Sequence, residues 1–258
     1  MLNLAGRRVL VTGASLGIGR AIASLFSSRG ARLALHFSGA VDDAMGHAGA
    51  GDALVKELVD ADHEAHAIDL NLGDANAGPR VVEQAMQGLG GLDVLVLCAS
   101  VQVRQPFDEV DAGSLSLQSR VNFEASMGLL KAALPPMQLQ KSGRIISIGS
   151  INQVRPHAEL MAYAALKAAQ HTLILGIARQ HAGDGITANT VSPGLVATPR
   201  NEWRRQDPSV WDGIQKQANP MQRAGTAEEV AQVVGLLAAD AGAFITGADI
   251  PIDGGARL

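Results

Sequence analysis

Arg8-Val9-Leu10-Val11-Thr12 is a short β-rich apolar run that ends directly in Gly13-Ala14-Ser15-Leu16-Gly17-Ile18-Gly19. A helix-periodic stretch follows, with Ala21, Ile22, Leu25 and Phe26 on one face, and it closes at Gly30. This strand, glycine loop and helix constrain the chain more than any other stretch. The glycines allow a tight turn and close approach of backbone to a ligand. The helix start offers free N–H groups and the positive end of its dipole to an anion such as a pyrophosphate. The spacing is G-x-x-x-G-x-G, not the G-x-G-x-x-G of the standard dinucleotide fingerprint, so its flanks carry the argument.

The same alternation continues along the chain. Arg32 to Phe37 reads as a second strand, Glu64 to Asp69 as a third, and Asp93 to Cys98 as a strand buried on both faces. Arg144 to Ile148, Ile186 to Val191 and Asp249 to Ile252 read as three more, the last an edge strand because of Pro251. Helical stripes lie between them: Leu54, Val55, Leu58 and Val59; Val81 to Leu89, ended by Gly90-Gly91; and Leu115 to Leu139, which Pro135-Pro136 should interrupt. A further helix runs from about Glu159 to His181, and another from Ala227 to Ala238 is opened by the cap Thr226-Ala227-Glu228-Glu229. Ser38 to Asp52 reads as loop or frayed helix, and Asn201 to Met221 as an irregular helical excursion. The pattern predicts an α/β fold: one Rossmann-type, doubly wound parallel sheet of about seven strands with helices on both faces, a single domain over residues 1–258.

Composition removes several classes of function. The net charge of −4 leaves no basic field for nucleic acid or an anionic membrane. A single Cys excludes an internal disulfide. The N-terminus shows no apolar signal core, and no apolar run approaches the roughly 18 residues of a membrane span. A soluble cytoplasmic protein is expected.

Tyr163 and Lys167 stand one helical turn apart in an Ala-rich helix and face the same way. An ammonium near a phenol favours the phenolate, which makes a tyrosine usable as a general acid or base. Alone, the pair also fits an ordinary helix with a core Tyr and a solvated Lys. Cys98 reads as packing rather than nucleophile, and His63 and His66 as surface residues; no metal site is expected.

Taken in order, these motifs resemble the short-chain dehydrogenase/reductase family over the whole chain. Thr12 to Gly19 looks like that family's cofactor loop, with Gly13, Ser15, Leu16, Gly17, Ile18 and Gly19 as contacts. Asp69-Leu70 looks like its adenine contact, and Asn122 its helix asparagine. Ser150, thirteen residues before Tyr163, matches its catalytic serine, and Ser192 to Thr198 its segment over nicotinamide, with Pro193, Gly194, Val196 and Thr198 as contacts. One departure is Leu97-Cys98-Ala99-Ser100 where the family usually has Asn-Asn-Ala-Gly; this should cost local hydrogen bonding while Ala99 and Ser100 keep the cofactor wall. The other is the long stretch from Ser38 to Asp52.

The resemblance implies hydride transfer between a nicotinamide and a carbonyl/alcohol pair. Tyr163 would protonate the developing alkoxide, Ser150 would hydrogen-bond the same oxygen, Lys167 would lower the Tyr163 pKa and hold the nicotinamide ribose, and Asn122 would support a water linked to Lys167. Phe37 and Ser38 stand where NAD enzymes carry a ribose-binding acid, which favours NADP(H) over NAD(H), although Asp42 or Asp43 could fold back. Asn152, Gln153, Arg155 and Trp203 are candidate substrate contacts in a polar, cationic set that also holds Gln102, Arg104, His157, Arg204 and Arg205. They suit a small sugar, sugar acid or 3-oxoacyl compound. The resemblance also implies a homotetramer packed through the Asn122 and Tyr163 helices. Competing readings are a non-catalytic NAD(P)-binding regulator, which the complete Ser150, Tyr163, Lys167 and Asn122 set argues against, and an epimerase or dehydratase, whose chains are usually longer.

Overall fold

The computed structural model describes residues 2–258. Seven parallel strands form one sheet: β1 (Arg8–Thr12), β2 (Arg32–Phe37), β3 (Ala65–Asp69), β4 (Val94–Leu97), β5 (Gly143–Ile148), β6 (Ile186–Pro193) and β7 (Asp249–Ile252). Their order across the sheet is β3-β2-β1-β4-β5-β6-β7. β1 therefore pairs with both β2 and β4, and the direction of winding reverses between β1 and β4. In such sheets ligands bind at the carboxyl ends of the strands where the order reverses.

The helices are α1 (Gly17–Ser28), α2 (Gly39–Ala44), α3 (Ala50–Asp60), α4 (Ala77–Leu89), α5 (Ala112–Ser119), α6 (Ala125–Leu139), α7 (Met161–His181), α8 (Pro208–Ala218) and α9 (Ala227–Ala238). Buried apolar residues from both faces of the sheet make two cores. Ile22 and Phe26 of α1, Leu54 of α3 and Val230 and Val234 of α9 pack on one face. Val81 and Ala85 of α4, Leu129 and Ala133 of α6 and Ile174 of α7 pack on the other. The central strands are buried on both faces because each face is covered by helices, which is why they read as continuous apolar runs.

Three boundaries differ from the sequence reading. Ser38 to Asp52 is not one frayed segment: α2 forms at Gly39 and α3 starts at Ala50. The stretch from Leu115 to Leu139 is α5, a π-helical turn over Arg120–Glu124, and α6. Pro135 and Pro136 do not interrupt α6, which runs through them to Leu139 while Leu130, Ala133 and Met137 stay buried on its packed face. The membrane expectation needs a correction too. With its flanking 3₁₀ turns, α7 spans Ala158–Asp184 and is long and apolar enough, by length and composition alone, to cross a bilayer. Here its inner face lies on the sheet: Lys167 reaches the Ile148 carbonyl on β5 and His171 bonds Thr190 on β6.

Candidate functional site

The loop after β1 is held by its neighbours. The Thr12 hydroxyl donates to the Val96 carbonyl at 3.1 Å and accepts from the Cys98 and Ala99 N–H groups at 3.0 and 3.1 Å. It ties the ends of β1 and β4 together, so the loop Cys98-Ala99-Ser100 is pinned without the asparagines whose absence was expected to cost hydrogen bonds. Gly13 has φ +65°, and a Cβ there would lie 2.7 Å from the Ala99 Cα, so this turn requires glycine. His36 braces the loop from β2. The Gly13 N–H donates to its Nδ1 at 3.2 Å, which leaves the hydrogen on Nε2 to donate to the Leu70 carbonyl at 2.9 Å. Burial lowers the His36 pKa to about 4, so the ring is neutral and holds this tautomer.

At the start of α1 the N-cap Leu16 supplies no side-chain hydrogen bond, and the first turn carries no acid. The N–H groups of this turn are therefore open to an anion, and the loop fits a pyrophosphate. The far side of the crevice differs from expectation in one respect. Asp42 folds back from α2, is buried, and accepts from the Ser15 hydroxyl at 3.1 Å. Its other carboxylate oxygen is buried without a partner, and burial raises its pKa. Asp69 accepts from the Gly39 N–H at 2.9 Å, so part of its carboxylate is committed to the start of α2. Phe37 is buried under Gly51, and Ser38 precedes α2 as its N-cap.

Ser150, Tyr163 and Lys167 meet at the carboxyl end of β5, and all three are buried. Ser150 follows β5 in extended conformation and accepts from the Asn152 backbone N–H at 3.2 Å and side-chain Nδ2 at 3.1 Å. With both lone pairs engaged, the serine has its hydroxyl hydrogen left to offer. Burial raises the Tyr163 pKa above its ordinary 10, while the Arg200 guanidinium and the Ser150 hydroxyl pull it down. The Lys167 ammonium lies 5.9 Å from the phenol ring centre and donates to the Ile148 carbonyl at 2.8 Å and Gln170 Oε1 at 3.0 Å. Burial first, then the Arg200 charge, lowers its pKa from 10.5 to about 7. The Arg200 guanidinium is thus a second cation beside the phenol. Its Nη2 donates to the Ser100 carbonyl at 2.8 Å and the Ser100 hydroxyl at 2.9 Å.

Asn122 is fully buried on the π-helical turn between α5 and α6. Its side chain makes a two-way clamp on Val101, accepting from its N–H at 3.0 Å and donating to its carbonyl at 2.8 Å. The π-helical turn over Arg120–Glu124 brings the buried residue to that position. The side chain is thus committed to the loop after β4.

The segment after β6 closes the site. The Gly194 N–H donates to the Ile252 carbonyl at 3.0 Å, Val196 bridges to Gly225, and the Asn201 side chain fastens Val196 and Thr198 at 2.7 and 3.2 Å. A Cβ on Gly17 would lie 3.3 Å from Thr198, so this segment abuts the glycine loop. Pro193 ends β6 beneath it.

The four candidate substrate contacts separate. Asn152 remains at the site through Ser150. Gln153 commits its amide to the Ser192 hydroxyl at 3.1 Å and Asp249 at 2.8 Å. Arg155 bonds the Ala256 carbonyl near the C-terminus. Trp203 is 60 % exposed and stacks on Arg204 at 5.0 Å. Gln153 and Arg155 are drawn off because acceptors on other elements take their N–H groups. Arg104 pairs with Glu159 at 2.7 Å. The sequence reading passed over Arg200, although it follows Thr198 by two residues, and Gln170, the polar residue one turn beyond Lys167. Cys98 is half-buried, and desolvation pushes its thiol up to about 11, which disfavours the thiolate. Among the described residues no group of acids, histidines and cysteine could hold a metal ion.

Comparison with known proteins agrees with this arrangement. A family model described as enoyl-(acyl carrier protein) reductase matches residues 13–257. The chain is 31 % identical to glucose 1-dehydrogenase of Gluconobacter oxydans, covering 99 % of this chain and 94 % of that protein. It is 32 % identical to the 3-oxoacyl-[acyl-carrier-protein] reductase FabG of Escherichia coli, covering 98 % of each. Among solved structures, a 3-oxoacyl (acyl-carrier-protein) reductase from Agrobacterium tumefaciens with NADP bound superposes with TM-score 0.91 at 40 % identity, covering 98 % of this chain and 95 % of that one. A putative NAD(P)-dependent gluconate 5-dehydrogenase from Beutenbergia cavernae with bound NADP gives 0.90 at 30 % identity, covering 99 % and 98 %. With a matching family model over nearly the whole chain and the Ser150, Tyr163 and Lys167 cluster at the end of β5, the chain belongs to the short-chain dehydrogenase/reductase family of oxidoreductases.

Proposed function

We propose that this oxidoreductase uses NADP(H) to interconvert a carbonyl and a secondary alcohol in a small polar substrate, a sugar acid or 3-oxoacyl compound before a neutral sugar. The observation that carries the reading is the buried meeting of Ser150, Tyr163 and Lys167 beside the uncapped start of α1. The nicotinamide supplies or accepts the hydride. The first-turn N–H groups of α1 hold the pyrophosphate, with Gly13, Gly17 and Gly19 keeping the loop close. Ser150 offers its hydroxyl hydrogen, which also reaches the Tyr163 phenol, to the substrate oxygen, and Tyr163 gives that oxygen a proton in reduction or takes one in oxidation. Lys167, with two of its three N–H groups engaged, keeps the third for a cofactor hydroxyl. Arg200, beside the phenol, and Arg204 farther out favour an anionic group on the substrate.

NADP(H) is supported by the bound NADP of two similar structures and by Phe37 and Ser38 in place of a ribose-binding acid. Asp42 is the competing feature. Burial raises its pKa, so the charge that would repel a 2′-phosphate is less favoured there than on an exposed aspartate. Side-by-side fluorescence titration with NADPH and NADH tests this: NADPH should bind more tightly, and tighter NADH would assign Asp42 to the ribose. A reductive screen then compares oxo acids with their neutral analogues.

We also propose that the chain is one domain, works as a homotetramer and resides in the cytoplasm. One sheet running from β1 to β7 supports the first. Leu115 and Leu117 on α5 and Leu175 on α7, all exposed, support helix pairing between copies. A monomer by light scattering would refute it. Cell fractionation with the protein in the membrane pellet would refute the location.

A further inference from the structure

Lys167 is joined to the π-helical turn by an unbroken line of buried groups. Lys167 Nζ donates to Gln170 Oε1 at 3.0 Å, Gln170 Nε2 donates to Ser126 Oγ at 2.7 Å, and Ser126 Oγ donates to the Asn122 carbonyl at 3.1 Å. Lys167, Gln170, Ser126 and Asn122 are all buried. The line has one direction only. The Ser126 hydrogen is used on a carbonyl, so its oxygen can only accept, and the Gln170 amide must turn its NH₂ toward Ser126. The amide oxygen is then left facing Lys167. Asn122 in turn clamps Val101, next to Ser100, on which Arg200 rests.

We infer that Gln170, oriented by Ser126, is a positioning residue that holds the Lys167 ammonium in place for Tyr163, a fixed protein bracket between α7 and the π-helical turn. An acceptor with no proton to give stabilises an ammonium over an amine in a site that otherwise disfavours charge. Gln170 is a large polar side chain on an Ala-rich helix, and its amide oxygen goes to Lys167 while its NH₂ goes to Ser126. A core-filling glutamine would show no such fixed direction. The other titratable groups that face Lys167 are Tyr163 on its own helix, Cys98 at the end of β4 and Arg200 after β6. None of these offers a carboxylate, so Gln170 and the Ile148 carbonyl are the acceptors the ammonium has.

The inference rests on reading Tyr163 and Lys167 as a proton-transfer pair, and its test needs no substrate. The pH at which folded Lys167 gives up its proton marks where stability, relative to the matching Lys167→Met protein, begins to rise with pH. In Gln170→Leu that onset, read by urea unfolding across pH, should move down by about 0.5 pH unit or more, roughly a threefold rise in the ionisation constant of the lysine. Ser126→Ala, which frees the amide to turn, should move it the same way by less. In a Lys167→Met background, Gln170→Leu should change stability by the same amount at every pH, because its influence on titration passes through the ammonium. An unmoved onset in both single variants would overturn the inference, and so would a pH-dependent effect of Gln170→Leu without Lys167. Should Gln170→Leu fail to fold, Ser126→Ala decides alone. A failed substrate screen with an intact Gln170 shift would count against the proposed function and leave the bracket standing.

Discussion

Replacing Lys167 by methionine tests the burial of its charge through stability alone. The folded protein lowers the lysine pKa from 10.5 to about 7, chiefly by burial. Below about pH 7 both folded and unfolded chains carry the proton, and the folded state bears the full cost of the buried charge. Between about 7 and 10.5 the unfolded chain binds a proton that the folded chain has released. Stability therefore rises with pH across that interval, by about 1.4 kcal/mol per unit from this group. Methionine has no proton to release, so Lys167→Met lacks this slope. From about pH 7.5 to 9.5 its stability relative to wild type should fall by about 2.7 kcal/mol. The hydrogen bonds to Ile148 and Gln170 that the variant loses change the offset between the two proteins, not the slope. Urea unfolding at one protein concentration, followed by tryptophan fluorescence at both pH values, measures the difference, and unrelated titrating groups cancel in it. A difference that stays constant across the range would refute the reasoning.

Ser150→Ala should lower turnover by about 10²-fold or more with little change in cofactor affinity, because it removes a donor aimed at the oxygen where charge develops; steady-state kinetics beside a cofactor titration reads both. Gly13→Ala places a methyl 2.7 Å from the Ala99 backbone at positive φ, so it should weaken both folding and cofactor binding, read as a lower Tm and a higher Kd. Asp42→Asn should tighten NADPH relative to wild type, since it removes a carboxylate that can repel the 2′-phosphate, and the gain should shrink as the pH falls through the raised Asp42 pKa; equal affinities of variant and wild type across pH would remove Asp42 from the cofactor site.

The fold was legible where local pattern and tertiary environment agree. The apolar runs from Val9 to Val11 and from Val94 to Leu97 are buried on both faces, and a continuous run is the pattern that environment selects. Thr226 and Glu229 form the reciprocal cap their spacing announces. Pro135 and Pro136 misled because packing on the buried face of α6 outweighs two missing donors. The π-helical turn at Asn122 leaves no periodic mark in five residues. Around the site, the spacing of Ser150, Tyr163 and Lys167 identified the cluster, but side-chain destinations are set across the sheet and no local pattern encodes them. Gln153 is claimed by Ser192 and Asp249, residues distant in sequence, and Asp42 by Ser15. Arg200 was hidden for the same reason: its partner Ser100 lies a hundred residues away.

The central claim is that Tyr163 moves the proton while the rest of the site holds cofactor and substrate. NADPH oxidation by wild type and Tyr163→Phe, on an oxo-acid substrate found in the screen, tests it with the NADPH Kd measured for both proteins. The account predicts an unchanged Kd and a turnover lower by about 10²- to 10⁴-fold at every pH examined. Turnover within a few-fold of wild type would contradict it, and the proton donor would have to be sought elsewhere.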